Sequence, residues 1–236
     1  MRGLILAGGS GTRLDPTTRV YNKHLIQVYD RPMIFYPIET MIQSGITDIV
    51  ISLSLQEPDL FMRLLGDGSE FGAKFTYLVQ MKALGISYAI NEARHLLGEE
   101  RFLVLLGDNY FSKHLGAAVS RYNVNEATIF FRKSDQPERY GVLEFEGSTF
   151  KRVIEKPNPA PSNWIMLGAY LLSDKFFEIF PKLKPSERGE YEITDAINAL
   201  MPWVKPTEYS DTWFDLGTPD DILACANYQY AEGMKG

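Results

Sequence analysis

The stretch that decides the fold is GLILAGGSGTRL at residues 3–14, an apolar run that leads directly into a glycine-rich turn. A continuous apolar run bounded by glycine is typical of a strand that is buried on both faces, as in a parallel sheet. The small residues that follow allow backbone N–H groups to surround an anionic oxygen, which bulky side chains would block. The stretch therefore predicts a buried first strand followed by an anion-binding turn.

Two phosphate-binding patterns can be tested on this turn by their spacing. The dinucleotide pattern G-x-G-x-x-G would begin at Gly9 and Gly11, but Leu14 occupies its third glycine position, which disfavours a dinucleotide-dependent oxidoreductase. The P-loop pattern fails because no Gly-Lys pair followed by Ser or Thr occurs here. Arg13 and Lys23 nevertheless follow the turn closely. We therefore predict a polyphosphate site of another kind, with a ligand-free turn as the alternative.

The composition is that of an ordinary globular chain of 236 residues, 45% hydrophobic and 23% charged. Its formal net charge of −6 argues against non-specific binding to nucleic acid or to a membrane surface, so an anionic ligand must be held by a few placed cations. One cysteine, Cys225, excludes an internal disulfide and is expected to be a small buried apolar residue. His24, His95 and His114 show no zinc-ligand spacing.

The apolar segments are all short. No run approaches the ~20 residues of a membrane-spanning helix, and the N-terminal apolar stretch is too short for a signal peptide. We therefore expect a cytoplasmic protein without a membrane partner.

Strand and helix patterns alternate along the first half of the chain, which predicts a doubly wound α/β sheet. Buried strands are predicted at residues 3–7, 48–53, 75–80 and 101–106, and helices that stop at a glycine at 33–44, 56–65 and 85–97. Further strands are predicted at 127–133, 140–146, 149–155, 165–172 and 209–214, and a closing helix at 220–232. We expect one Rossmann-like three-layer α/β/α domain with a mostly parallel central sheet and a smaller antiparallel or mixed extension.

Eight short blocks of sequence, spread in order over the whole chain, carry a family resemblance. They are GGSGTRLDPTT (8–18), NKHL (22–25), VYDRPMIFYPI (28–38), LGDN (106–109), ERYGV (138–142), EKP (155–157), RGEYEITD (188–195) and WFDLGT (213–218). Together they resemble the sugar-1-phosphate nucleotidylyltransferases, and most closely the glucose-1-phosphate thymidylyltransferases in a short form. The resemblance implies a nucleotide-binding half at 1–126, a mixed-sheet half that binds the sugar phosphate at 127–218 and a closing helix at 219–236.

The reaction that the resemblance implies is Mg²⁺-dependent transfer of a nucleotidyl group from dTTP to glucose-1-phosphate, which yields dTDP-glucose and pyrophosphate. A sugar-phosphate oxygen attacks the α-phosphorus in line with the departing pyrophosphate, so no side-chain nucleophile is needed. The enzyme must bring two anions together and neutralise the charge on their bridging oxygens. The family is commonly oligomeric, so a homo-oligomer is also expected.

The resemblance carries individual roles onto this chain. It implies that Arg13, Lys23 and Asp108 are catalytic, and that Asp108 and Asp215 hold Mg²⁺, which prefers one or two protein carboxylates together with phosphate and water. The residues implied to bind the nucleotide are Leu6, Gly8, Gly9, Gly11, Thr12, Arg13, Gln80, Gly85 and Asp108. Those implied to bind the sugar phosphate are Asn109, Gly141, Glu155, Lys156, Met166, Tyr170 and Arg188.

Several of these roles have simpler alternatives. Asp108, in a Gly-Asp-Asn turn, could form an Asx turn. Lys156 and Arg188 could be solvated surface cations, the usual state of these residue types.

The identity of the substrates also stays open at this point. QMKALGISYA at 80–89 lacks the proline-bearing linker and the Leu-Ala-Gln-Ala run of many members, so thymine is a preference over uracil. Uridylyl-, guanylyl- or cytidylyltransfer to another hexose-1-phosphate is the runner-up. A catalytically silent nucleotide-sugar-binding subunit would lack charged residues of the phosphate and metal sites, all of which are present. Few residues follow Thr218, so we expect feedback through the peripheral site of longer members to be absent or altered.

Overall fold

The computed structural model describes residues 1–9, 11–98, 101–121, 123 and 126–234. The strands are β1 (Arg2–Ala7), β2 (Gln27–Val28), β3 (Arg31–Pro32), β4 (Asp48–Leu53), β5 (Lys74–Val79), β6 (Phe102–Leu106), β7 (Asn109–Phe111), β8 (Ala127–Lys133), β9 (Gly141–Glu146), β10 (Thr149–Glu155), β11 (Trp164–Leu172), β12 (Val204–Glu208) and β13 (Trp213–Asp215). The helices are α1 (Phe35–Gln43), α2 (Pro58–Leu65), α3 (Ile86–Glu92), α4 (Arg94–Leu97), α5 (Gly116–Arg121), α6 (Lys175–Ile179), α7 (Ile193–Ala199) and α8 (Pro219–Gly233). Within these described ranges, every helix is too short or too polar to cross a membrane.

The chain divides into two compact units. We call the first the glycine-loop unit; it comprises Gly3–Lys82, Leu105–Gly116 and Asp211–Gly236. The second, the mixed-sheet unit, comprises Met1–Arg2, Ala83–Val104 and Ala117–Ser210. The three-part division of the sequence at residues 126 and 218 stays a prediction, and the last two residues of its closing segment, 235 and 236, lie outside the described residues.

The glycine-loop unit is built on parallel strands. β4 lies between β1 and β5, and both pairs are parallel, with Gly3 opposite Ile49 and Asp48 opposite Lys74. β1 and β4 are almost completely buried, which explains their continuous apolar sequences. The N–H of Gly107, just after β6, donates to the carbonyl of Leu6 at 2.9 Å. The loops after β1, β4 and β6 therefore leave the sheet at its carboxyl edge, where α/β proteins bind ligands.

A hydrophobic core of six buried residues lies within this unit. It consists of Val28, Met33, Tyr36, Tyr110, Leu216 and Cys225. The Tyr36 hydroxyl donates to the carbonyl of Val28 at 2.6 Å, so its polar group is satisfied inside the core. Cys225 lies on α8, and burial raises the pKa of its thiol to about 12. The expectation of a small buried apolar residue is confirmed.

The mixed-sheet unit supplies the antiparallel and mixed extension. β9 pairs antiparallel with β10 and β11, β8 pairs antiparallel with β11, and β12 pairs parallel with β8. The predicted fold class, α/β with a mostly parallel sheet and a mixed extension, is confirmed. The sequence analysis missed β12.

Several element boundaries differ from the sequence prediction, and three of the differences have a local explanation or change where a site residue lies. The helix predicted over 56–65 begins at Pro58, because proline is suited to the first helical position. The helix predicted over 85–97 is two helices, since α3 closes at Ala93 with a tight turn and α4 begins there. The bounds of the strand predicted over 209–214 are wrong: the strand is Trp213–Asp215, which pairs with β7 as β13, and Asp215 is its last residue.

Candidate active site

We call residues 8–12, which follow β1, the glycine loop. The side chain of Lys23 lies against this loop. Gly11 has a φ of +65°, and a Cβ there would lie 2.8 Å from Thr18 Cγ2 and 2.9 Å from Lys23 Cβ. A Cβ on Gly9 would lie 3.1 Å from Lys23 Cε. Glycine is required at Gly11 both for the left-handed backbone and for the approach of the lysine stem. Ser10 of this loop lies outside the described residues.

Lys23 and Asp108 form a buried ion pair. The Lys23 ammonium contacts Oδ2 of Asp108, and the two side chains are 12% and 11% exposed. Asn109 donates to the other oxygen, Oδ1, at 3.0 Å. Burial alone would raise the pKa of Asp108, but the Lys23 charge, together with the hydrogen bonds from Lys23 and Asn109, outweighs burial and holds this pKa well below its usual range. Asp108 is therefore ionised at neutral pH.

Asp215 lies beside this pair. In the β7–β13 ladder it is opposite Asn109, and the N–H of Leu216 donates to the carbonyl of Asp108 at 2.8 Å. Burial, together with the negative charge of Asp108, raises the pKa of Asp215 to about 7. Two carboxylates held this close repel each other, and a cation between them would relieve the repulsion.

Arg13 completes the charged group. Its Nη2 lies 4.0 Å from Oδ2 of Asp215, and its side chain is about half exposed. The absence of a side chain at Gly217 makes room for the guanidinium, since a Cβ there would lie 2.8 Å from Arg13 Cζ. The structure thus brings Arg13, Lys23, Asp108 and Asp215 together beside the glycine loop, and their predicted roles in catalysis and metal binding stay predictions.

The two aspartates fit a magnesium ion by their chemistry. Mg²⁺ is held in phosphate-transfer sites by one or two carboxylates and completes its shell with water and substrate phosphate. Asp108 and Asp215 would provide these carboxylates. Across the described part of the chain, no cluster of three or more histidine, cysteine, aspartate or glutamate residues forms a closed metal site.

Asn22 and His24 flank Lys23 and were missed by the sequence analysis. Both are 1% exposed. Oδ1 of Asn22 accepts the backbone N–H of His24 at 3.1 Å and lies 2.8 Å from its Nδ1. Burial and the Lys23 charge lower the pKa of His24 to about 3, so its ring is neutral. The ring packs where a Cβ of Gly107 would be, 2.7 Å from His24 Cδ2. The NKHL block was the available signal.

The remaining predicted nucleotide residues of the glycine-loop unit border the same loop. Gln80 donates from Nε2 to Ser52 Oγ at 2.6 Å, and its Oε1 is 3.2 Å from where a Cβ of Gly8 would lie. Leu6 is nearly buried at the end of β1, and Thr12 opens the short 3₁₀ turn that contains Arg13. Their predicted roles stay predictions.

Asn109, predicted to contact the sugar phosphate, lies in the glycine-loop unit next to Asp108. It is 2% exposed, and its Oδ1 accepts the indole N–H of Trp213 at 2.9 Å. Its amide donates to Asp108 at the same time, which fixes the orientation of that carboxylate.

The mixed-sheet unit brings together a second charged group. Gly141 is opposite Glu155 in the β9–β10 ladder. Lys156 Nζ and Arg188 Nη2 lie 3.5 and 3.3 Å from Oε1 of Glu155. Lys156 has a left-handed backbone with a φ of +41°, and its N–H donates to the carbonyl of Tyr140 at 3.0 Å. A non-glycine residue held in this conformation is strained, and such strain is concentrated at ligand sites.

Arg188 is held by Glu192, which was not predicted as a site residue. Glu192 Oε1 accepts from Arg188 Nη2 at 2.8 Å and from Ser186 Oγ at 2.7 Å. The RGEYEITD block contains both charged residues and was the signal for this pair.

The other predicted residues of this unit lie around the same strands. Met166 packs 3.4 Å from where a Cβ of Gly141 would be, while Tyr170 is buried further along β11. Gly85 has a φ of +96° and lies against the backbone of Tyr191, so a side chain there would collide. Their assignment to substrate stays a prediction.

Comparison with known proteins identifies the family. A family model described as nucleotidyl transferase matches residues 2–232. The chain belongs to the nucleotidyl transferase family. It is 37% identical to a glucose-1-phosphate thymidylyltransferase of Neisseria gonorrhoeae, over 97% of this chain and 82% of the relative. The predicted family resemblance and the enzyme class are confirmed.

Solved structures of similar fold agree with this membership. A Bacillus anthracis protein assigned as a glucose-1-phosphate thymidylyltransferase, crystallised with sucrose, superposes with a TM-score of 0.91 at 38% identity, over 97% of this chain and 94% of that one. A UDP-glucose pyrophosphorylase in complex with UDP-glucose superposes with a TM-score of 0.86 at 25% identity, over 98% of each chain. This nucleotidyl transferase therefore shares its α/β fold with both of these proteins.

Proposed function

We propose that this nucleotidyl transferase transfers a thymidylyl group from dTTP to glucose-1-phosphate and releases pyrophosphate, with Mg²⁺ as cofactor. Its similarity to thymidylyltransferases over nearly the whole chain supports this choice of substrates. The observation that carries the chemistry is the group of two cations and two carboxylates beside the glycine loop.

In this proposal the phosphates of dTTP lie along the glycine loop. Arg13 is half exposed and presents a planar guanidinium, which suits bidentate binding of the departing pyrophosphate oxygens. Lys23 carries a compact charge, and its side chain lies against Gly9 and Gly11. It is assigned to the phosphate oxygens near the α-phosphorus. Both cations stabilise negative charge that grows as the bond to pyrophosphate breaks.

Asp108 and Asp215 would hold the magnesium ion. The bound ion would neutralise phosphate charge and polarise the α-phosphoryl group. Asn109 and the paired strands β7 and β13 hold the two carboxylates in place without a ligand, so little reorganisation is needed.

The sugar phosphate is assigned to the charged group of the mixed-sheet unit. Lys156 and Arg188 supply positive charge for the phosphate, and Glu155 accepts hydrogen bonds from sugar hydroxyls. The phosphate oxygen then attacks the α-phosphorus directly, and no side chain of the enzyme forms a covalent bond.

Uridylyl transfer from UTP is the second candidate. The similarity to a UDP-glucose pyrophosphorylase at a TM-score of 0.86 favours it specifically. Thymine and uracil differ by one methyl group, which is worth about 1–3 kcal/mol in an apolar pocket.

A panel of pyrophosphate-release assays tests the proposal. It combines dTTP, UTP, CTP and GTP with glucose-, mannose- and N-acetylglucosamine-1-phosphate, with and without Mg²⁺. The expected result is the highest kcat/KM for dTTP with glucose-1-phosphate, and only in the presence of Mg²⁺. A preference for UTP would establish the second candidate, and no turnover with any pair would refute both. The cytoplasmic location and the homo-oligomer stay predictions.

A further inference from the structure

A short loop after β4 lies against the glycine-loop segment. We call residues 54–57 the brace loop. Since β1 and β4 are parallel neighbours, the chain leaves both strands at the same edge of the sheet. Gln56 and Glu57 of this loop belong to none of the predicted site residues, yet both contact the segment from Gly11 to Lys23.

The brace loop holds this segment at two points. Nε2 of Gln56 donates to the carbonyl of Thr18 at 3.3 Å, and Thr18 Oγ1 donates to the carbonyl of Gly11 at 3.0 Å. The N–H of Asn22 donates to Oε2 of Glu57 at 3.2 Å. The first contact supports the glycine loop, and the second supports the residue that precedes Lys23.

Glu57 has an unusual backbone. Its φ and ψ of +55° and +43° place it in the left-handed region, which costs energy for a residue with a Cβ. It sits at the start of α2, immediately before Pro58. Residues in such conformations persist where the surrounding structure enforces them, and they are concentrated at ligand clamps and active sites. Here this conformation brings the carboxylate of Glu57 within hydrogen-bond distance of the backbone N–H of Asn22.

Asn22 connects Glu57 to the backbone on both sides of Lys23. Its backbone is held by Glu57, and its side-chain oxygen holds the backbone of His24. Asn22 and His24 are both 1% exposed, so neither can move without disturbing its buried surroundings.

We propose that Gln56 and Glu57 are positioning residues that fix the glycine loop and Lys23 for a triphosphate before it binds. The inference rests on the proposed function and extends it to residues outside the phosphate site. A segment that is ordered before binding loses less conformational freedom on binding. The loss of a hydrogen bond from Gln56 or Glu57 to this segment is therefore expected to lower the affinity for phosphate groups. The residues predicted to bind the sugar phosphate lie on other segments, so we expect the affinity of the enzyme for glucose-1-phosphate to stay unchanged.

Three substitutions at Glu57 test this inference. Glu57→Ala removes the acceptor, Glu57→Gly also removes the backbone restraint, and Glu57→Gln keeps an acceptor oxygen without the charge. Leu55→Ala is the control, because Leu55 lies in the same loop and is 58% exposed. The measurements are KM for each substrate, kcat, the affinity for inorganic pyrophosphate by calorimetry and amide hydrogen exchange over residues 11–23.

The expected result is a KM for the nucleotide about tenfold higher in Glu57→Ala, with an unchanged KM for glucose-1-phosphate and faster exchange confined to residues 11–23. Pyrophosphate affinity falls by a similar factor, Glu57→Gly is at least as impaired, and Glu57→Gln stays within about twofold of wild type. An unchanged nucleotide KM in Glu57→Ala overturns the inference. So does an equal rise in both KM values with a lowered Tm, which indicates general destabilisation.

The inference and the proposed function fail in different ways. If the wild-type enzyme turns over no substrate pair, the proposed function is wrong. Exchange and pyrophosphate binding do not need turnover. Faster amide exchange over residues 11–23 and weaker pyrophosphate binding in Glu57→Ala then still support the positioning role of Glu57. Unchanged values refute it.

Discussion

Lys23 and Asp108 form a buried ion pair, and each member also belongs to a different proposed ligand site. Lys23 faces the glycine loop, whereas Asp108 lies beside Asp215. A second, looser pair joins Arg13 to Asp215. Because the Lys23–Asp108 pair is buried, the removal of Lys23 leaves the charge of Asp108 without compensation.

Replacement of Lys23 by methionine tests the energetic weight of this pair. With its partner gone, Asp108 is a buried charge with no counter-ion, so we expect the free energy of unfolding to fall by about 3 kcal/mol at pH 7. The pKa of Asp108 is lowered in the folded state, so the stability gained from the pair is present above about pH 4 and is lost as the pH falls. Urea denaturation at pH 7 measures the stability lost in the variant, and the same measurement at pH 2, well below the ordinary carboxyl pKa, shows how far the difference from wild type disappears.

The matched control is Lys113→Met. Lys113 also pairs with an aspartate of the same unit, Asp211, at 2.8 Å, but its side chain is 71% exposed. Exposed pairs contribute about 0–1 kcal/mol, so this variant is expected to resemble wild type. Equal losses in the two variants would contradict the buried-pair interpretation.

Asp108→Ala tests the metal-binding role. We expect pyrophosphate release to fall at least about 100-fold, because both the proposed metal ligand and the partner of Lys23 are lost. The far-ultraviolet circular dichroism spectrum should stay unchanged. Asp59→Ala, at an exposed position on α2, is the control and should be active. Turnover near the wild-type rate in Asp108→Ala would remove Asp108 from the site.

Asp215→Asn is expected to inactivate the enzyme and to stabilise the ligand-free protein. The pKa of Asp215 is about 7 when folded and near its ordinary value of 3.8 when unfolded. The folded state therefore binds the proton more tightly, and the stability associated with this group is lost as the pH rises from about 4 to 7. Above pH 7 the charged carboxylate destabilises the fold, and an uncharged amide does not.

The size and pH dependence of this stabilisation can be measured. We expect Asp215→Asn to raise the free energy of unfolding by about 4 kcal/mol at pH 8, with little difference from wild type at pH 4. Thermal unfolding without divalent cations, at both pH values, provides the comparison. A variant that is less stable than wild type at pH 8 would show that Asp215 is not strained by its charged surroundings.

The sequence predicts the fold well where one signal dominates. Apolar runs bounded by glycine locate β1 and β4, since both strands are buried on both faces. β12, Val204–Glu208, escapes this test because it contains a proline and mostly polar residues, and its pairing with β8 depends on contacts distant in sequence. The boundaries of short helices are also predicted poorly, because they too depend on contacts distant in sequence.

The charged residues of the site were predictable as residue types, but their contacts were not. The motif order picks out Arg13, Lys23, Asp108 and Asp215, whereas which cation meets which carboxylate depends on the fold. Glu57 gives no signal at all, because a residue before proline is expected to be extended and here is left-handed. Its role depends on a contact with Asn22, 35 residues away in the sequence.

Gly217→Ala is expected to displace Arg13 without harming the fold. The new Cβ would lie 2.8 Å from Arg13 Cζ, which is closer than carbon atoms approach, and the half-exposed guanidinium can move into solvent. Gly217 does not have a positive φ, so alanine is tolerated by the backbone. We expect the nucleotide KM to rise about tenfold, because Arg13 no longer lies where the phosphates bind.

A double-mutant cycle shows whether this loss passes through Arg13. If it does, Gly217→Ala has no further effect in an enzyme that already carries Arg13→Ala, because the displaced group is absent. Gly233→Ala, at the end of α8, is the control, since a Cβ there meets open space. A full additional loss in the double variant would mean that Gly217 acts on the site by another route, and Arg13 would then have no part in the effect of this glycine.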